Sequence, residues 1–437
     1  MTTTQTDIGS LVDALASASP DWLGDIRREA WTRYSELGEP QARDEAWRFT
    51  DLELIRPEGY APLAPDAGTD IEATPKPATS VLELTDLEPA GRVVHADASA
   101  VSVELSESAR KQGVILCPIE QAIADHADLL RPRLGTLVGS EDVFRAWALA
   151  TFRGGTFLYV PKGVEISDPF QALHWVTAAG TALPTRTIVV VEDGAKIVFN
   201  DLYLSEALSE PSLASPAIEV FVGRGAEVGW VTWQDFGPGV RNLAHMRAHV
   251  DRDAKLNTML VTLGADLSRA MKACTLAGEG AESYMFGLFF SRGDQHFEHW
   301  TVQDHVAPHT TSDLLYKGAL ADTSQALYYG TIRVRPGAFR TDAYQANRNL
   351  ALSPKARALP NPQLEIENND VRCTHGATVG QLDQEQLFYL RSRGIPLEQA
   401  RRLVVYGFFG EVLDRVRWSG MHERLGEAIH DKMEGQA

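Results

Sequence analysis

The spacing of hydrophobic residues along this chain changes twice, and the changes divide it into three parts. Near the start, Trp22, Leu23, Ile26, Ala30 and Tyr34 recur at helical intervals, the pattern of a helix with one buried face. Ser19-Pro20-Asp21 reads as its start, with Ser19 as N-cap and proline in the first turn; Gly38 followed by Pro40 reads as its stop. A stretch rich in Pro, Ala and Asp, from about Pro57 to Thr79, then reads as a linker. Residues 1–80 are therefore expected to form a small helical domain with a flexible exit.

From about residue 81 to 370 the helical period gives way to short β-rich runs: TIVVVED (Thr187 to Asp193), AIEVFVG (Ala217 to Gly223) and GTIRVRP (Gly330 to Pro336). A weak repeat runs through them. VEDGAKIVF, VGRGAEVGW, VDRDAKLNT and LAGEGAESY align on Ala195, Ala226, Ala254 and Ala281, at spacings of 31, 28 and 27, and VRPGAFR places Ala338 57 residues further on. Repeats of this length, each a turn plus short strands, suggest a solenoid. Glycine supplies the positive φ of a tight corner, and alanine fits where coils stack closely. A β-sandwich with Gly-Ala turns gives the same local pattern, and periodicity alone leaves both open.

After Gly380 the chain is helical again. Asp383 with Gln386 three residues later resembles a capping box, and the helix it opens runs through LFYLRS to Gly394. Pro396 opens the next helix, with Ala400, Leu403, Val404, Phe408, Val412 and Val416 as its apolar stripe. Leu387, Phe388, Tyr389 and Phe409 cannot all share one buried face, which leaves aromatic surface for a partner. Residues 371–437 are expected to form a motif strand followed by a helical docking domain.

Composition narrows the function. Acidic residues outnumber basic ones 59 to 41, a net charge of −18, and such a surface repels phosphate backbones; no nucleic acid is expected as a partner. No apolar stretch approaches the roughly 20 residues that span a bilayer, and the first 30 residues lack the basic start and apolar stretch of a secretory signal. Cys117, Cys274 and Cys373 are too few and too scattered for a disulfide framework. The expectation is a cytoplasmic, thiol-reduced protein with no membrane contact.

The chemistry concentrates in VRCTHGATVG, Val371 to Gly380, where Cys373 and His375 stand two positions apart. In a strand both side chains point to one face, and a thiolate converging with an imidazole suits a soft transition metal or the iron of an iron–sulfur site. The same spacing is that of a buried thiol beside a satisfied histidine. A metal site built on this pair needs further ligands from elsewhere in the chain or from a partner. A second concentration, His296, His299, His305 and His309, lies in QHFEHWTVQDHVAPHTTSD; a strand puts His299 and His305 on one face and His296 on the other, a poor arrangement for zinc. No Walker A motif, nucleophile elbow, H-E-x-x-H or G-x-G-x-x-G after a strand is present.

These motifs carry a family resemblance. The combination C-x-H-G-A-T-V-G-Q-L-D with Q-L-F-Y-L-x-S-R-G resembles the C-terminal signature of the SufB/SufD family, scaffold subunits of the Suf iron–sulfur assembly machinery. NRNLALSPKARALPNPQLEI (Asn347 to Ile366) and RDEAWRFTDL (Arg43 to Leu52) resemble the family's preceding segment and its short N-terminal motif. SufB sequences typically read E-H-E-A-T where this chain has Thr374-His375-Gly376-Ala377-Thr378, so the likeness is to the SufD branch. The resemblance implies a mostly β fold, a right-handed parallel β-helix core (β-solenoid) flanked by N-terminal and C-terminal helical domains. It also implies a non-catalytic scaffold working with SufB and the ATPase SufC. His375 is then the ligand offered to a transient iron–sulfur cluster shared with SufB, Cys373 an auxiliary ligand or buried neighbour. Leu387, Phe388 and Tyr389 lie on the helices that dock the ATPase. A homodimer is an alternative state of the isolated chain.

Two rival readings come from other classes. A β-helix enzyme acting on polysaccharide expects secretion and clustered acidic residues for calcium, and the sequence shows neither. A β-solenoid adaptor with no metal role stands if the Cys373–His375 pair is structural.

Overall fold

The protein is described here by a computed structural model covering residues 5–63, 88–415 and 421–434. Most of the expected linker and Val416 lie outside the described residues. Two ten-stranded sheets form the body, and from Thr156 to Gln381 the chain alternates between them, one strand in each per coil. Every pairing among these strands is parallel and in register, giving a β-solenoid of about eight turns. The coils begin later than expected, because an antiparallel hairpin, a short antiparallel strand and short helices fill residues 91–151. They also end later: Val371–Gln381, assigned by sequence to the C-terminal part, is the last solenoid strand.

The Gly-Ala repeat marks one corner of the coil. Ala195, Ala226, Ala254 and Ala281 are buried at equivalent positions, each just before the in-register row Lys196, Glu227, Lys255, Glu282. The row continues to Thr311 and Asp342, so the next equivalents are Thr310 and Thr341, whose hydroxyls meet at 3.3 Å. Ala338, expected at this position, is instead buried in a longer corner three residues earlier. The residue before each alanine has positive φ: Gly194, Gly225, Gly280, and Asp253 where the repeat reads RDA. Aspartate tolerates the left-handed region better than most side chains, which is why the repeat survives without glycine there.

Helices cover the outer faces. Asp21–Leu37 buries Leu23, Ala30 and Tyr34, and ends at Gly38 with φ 66°, as its pattern predicts. Its cap is Pro20 rather than Ser19, whose hydroxyl donates instead to Leu15 O at 2.7 Å. The RDEAWRFTDL segment lies on the outer face of the first sheet around a buried ion pair, Arg269–Glu298. Trp47 and Trp300 sandwich the guanidinium at 4.2 and 4.4 Å, Thr50 bonds both partners, and Ala46 O accepts from Arg269 at 2.7 Å. The W-x-x-T spacing thus completes the coordination of a pair that burial would otherwise make costly. Burial alone would raise the Glu298 carboxyl; Arg269 and His296 overcome it and hold it down to about 2.

The C-terminal helices cover the second sheet. Asp383 caps Gln384–Ser392, accepting from Glu385 N at 2.8 Å and Gln386 N at 3.4 Å, and Pro396 precedes Leu397–Leu413. The buried stripe of that second helix differs from the expected one. Ala400, Val405, Phe409, Val412 and Leu413 face the sheet, and Leu403 is exposed. Packing against a broad sheet with Trp233, Val261 and Leu315 on its outer face selects this rotation. Lys317 donates to Phe408 O and pairs with Glu411, both at 2.7 Å, and Arg348 reaches the same carboxylate at 2.6 Å. These polar ties fix the hairpin to the coils.

Candidate functional site at the open end of the solenoid

Arg357–Ile366 and Val371–Gln381 form the last coil, and among the described residues no further strand pairs with either. Their backbone edges are therefore open, and the side chains that in earlier coils are sealed into the interior here face a mouth. Val371 and Cys373 pack against Ile332, Val334, Ala338 and Ala343, which shows that the odd positions of this strand face inward. His375 follows on the same side by the two-residue period, and it is exposed. Leu364 and Ile366 occupy inward positions across the mouth, in register with the buried Ile332 and Val334, and are 36% and 42% exposed.

The structure thus brings Cys373 and His375 to one face. Cys373 is half-buried; partial desolvation first, then the Asp342 carboxylate, pushes its thiol up. A raised thiol ligates poorly until a metal displaces its proton, whereas an imidazole exposed at the rim is available as a donor. Among the described residues no three His, Cys, Asp or Glu side chains are grouped to hold a metal ion by themselves. The four-histidine segment separates as the strand period predicts. His299 and His305 lie inside the coil, His299 stacked on Phe289 at 4.6 Å and His305 bonded to Thr310 and Ser312 at 2.7 and 2.8 Å. His296 pairs with Glu298 at 3.2 Å on the outer face, and His309 sits exposed at a corner with φ 59°.

The edge itself has a feature that sequence reasoning missed. Arg357 N donates to Ser324 O at 3.0 Å and Glu367 N to Val334 O at 2.9 Å, so odd residues of Arg357–Ile366 bond back to the previous coil. Alternate residues of a strand send their backbone groups to opposite sides, so the even ones face outward. Pro360 and Pro362 are both even, and two outward donors are missing from this edge. The signal was present in LPNPQ, but only the register shows which side the prolines face.

Of the three residues expected at a docking surface, the structure separates one from two. Leu387 is 4% exposed and belongs to the core under the hairpin. Phe388 and Tyr389 are 73% and 57% exposed, and Leu403 and Tyr406 on the second helix of the hairpin are 45% and 36% exposed. Tyr389, Leu390, Leu403, Val404 and Phe408 line a groove between the two helices of the hairpin.

An exposed imidazole and a half-buried thiol at the unpaired end of a β-solenoid, with a helical arm fixed beside it, define a scaffold-like architecture. The chain belongs to the SufB/SufD family. Its residues 174–408 match the family described as SUF system FeS cluster assembly, SufBD core domain, and residues 10–172 match the SufBD protein N-terminal region. It is 29% identical to the iron–sulfur cluster assembly protein SufD of Bacillus subtilis over 95% of this chain and 94% of that protein. An iron–sulfur cluster assembly SufBD family protein of Mycobacterium tuberculosis is 32% identical, covering 75% and 84% of the two chains. The Bacillus subtilis SufB is 27% identical over 73% of this chain and 69% of its own length. The chain is thus a SufD-like iron–sulfur cluster assembly protein.

Proposed function

We propose that this chain is a scaffold subunit that pairs through its open solenoid end with a SufB-type partner and offers His375 to a nascent iron–sulfur cluster at the junction. The carrying observation is the exposed His375 on the inward side of a coil whose strands have no further neighbour among the described residues. A partner sealing that mouth supplies the missing ligands, and the cluster is cargo rather than a resident group. A neutral imidazole binds iron yet leaves on protonation more readily than a thiolate, which suits transfer. Cys373 lies deeper and serves as an auxiliary ligand or as lining. Phe388 and Tyr389 form part of the face that docks the ATPase SufC, whose nucleotide cycle drives assembly, and the complex works in the cytoplasm.

The test is the iron and sulfide content of the purified complex, read beside its melting temperature. His375→Ala is expected to leave assembly and melting unchanged while cluster content falls sharply; Cys373→Ala is expected to do less. Normal loading in the His375→Ala complex would leave the adaptor reading, in which the pair has no metal role.

A further inference from the structure

Beneath His375 lies a buried amide with half its hydrogen bonding unmet. Gln345, in the strand Thr341–Ala351, is fully buried, and its Nε2 donates to Gly330 O at 3.1 Å. Gly330 makes room for it: a Cβ there would stand 2.7 Å from Gln345 Nε2 and 2.2 Å from the Tyr328 hydroxyl. The amide is therefore fixed by its nitrogen, and its carbonyl oxygen Oε1 has no hydrogen-bond partner among the described residues. Buried acceptors are rarely left so without a reason.

The neighbours narrow the reason. Along the inward row, Gln345 stands in register between Leu314 and His375. Leu314 is apolar and offers no donor. Asn347, the next inward residue of the same strand, is engaged with Tyr316 O and with Asn349. The Tyr328 hydroxyl, also close to Gly330, is engaged with the Thr301 hydroxyl at 2.9 Å. His375 is the polar neighbour on the open side of the row, one strand spacing of roughly 4.8 Å away. Metal-ligating histidines almost always donate their other ring N–H to an acceptor, which fixes tautomer and ring orientation.

We propose that Gln345 is a positioning residue for His375: its carbonyl oxygen accepts the ring N–H not used in ligation and presents the other ring nitrogen to iron. This rests on the reading of His375 as a ligand. It explains why a polar side chain, with a glycine cleared to hold it, occupies an interior row that is apolar one coil earlier.

The test uses the full-length chain carrying ¹⁵N-labelled histidine, with His375→Ala assigning the resonance. Wild type is expected to hold His375 in a single neutral tautomer, and Gln345→Met to give a mixture. In the assembled complex, Gln345→Met is expected to lose iron to a chelator several-fold faster while its melting temperature holds. A tautomer mixture already present in wild type overturns the proposal, even if Gln345→Met fails to fold. A single tautomer that Gln345→Met leaves unchanged overturns it as well. If the tautomer responds but His375→Ala loads clusters normally, the ligand reading fails and Gln345 loses its service to iron.

Discussion

Single side chains here divide by whether burial or exposure decides their chemistry. His299 and His305 are sealed inside the coil, and desolvation depresses both, to about 3 and about 4 from an ordinary 6.5. They stay neutral in the fold, whereas an unfolded chain protonates them first. Their contribution to stability is therefore complete above pH 6.5 and drains away as pH falls toward 4. The melting temperature should drop through this window. His305→Gln, which keeps a polar group toward Thr310 and Ser312, should flatten the drop; an unaltered pH profile in that variant would contradict the assignment. That Cys373 and His375 share a face was legible from their spacing alone. Gln345 was not, because thirty residues separate it from His375 and only strand register makes them neighbours.

Elements were legible where their signal is local. The Asp383 cap, the Pro396 start and the Gly-Ala corners all lie within a few residues of what they determine. The rotation of Leu397–Leu413 was not legible, because its sequence offers two apolar stripes and the outer face of the sheet chooses between them. The same packing separates the three residues proposed for docking into two kinds of experiment. Leu387→Ala should cost about 2–5 kcal/mol of stability, the usual penalty for emptying a buried leucine site. Phe388→Ala with Tyr389→Ala should leave melting within about 1 kcal/mol of wild type, since exposed side chains contribute little, while weakening capture of the ATPase partner. Undiminished capture by the double variant would remove these two aromatics from the docking face.

At the scale of the molecule, repeat length pointed to a solenoid or a sandwich and the family resemblance chose the solenoid, but where the coils start and stop was hidden. The repeat motif fades where Thr310 and Thr341 replace alanine, and the last strand reads as a chemical motif before it reads as structure. Each coil leans on the one before it, so the final coil is the natural template for another chain. An unmodified parallel edge would accept strand after strand, and a scaffold that joins its partner end to end risks becoming a filament. Pro360 and Pro362 remove two outward donors from one of the two terminal strands. Replacing both with alanine should restore those donors and raise the average particle mass with concentration, as seen by light scattering. A variant that scatters like wild type would leave growth to be limited by something else. With the prolines in place, a strand laid against this edge finds two donors fewer to pair with, so the solenoid carries within its own end a brake on growth coil by coil.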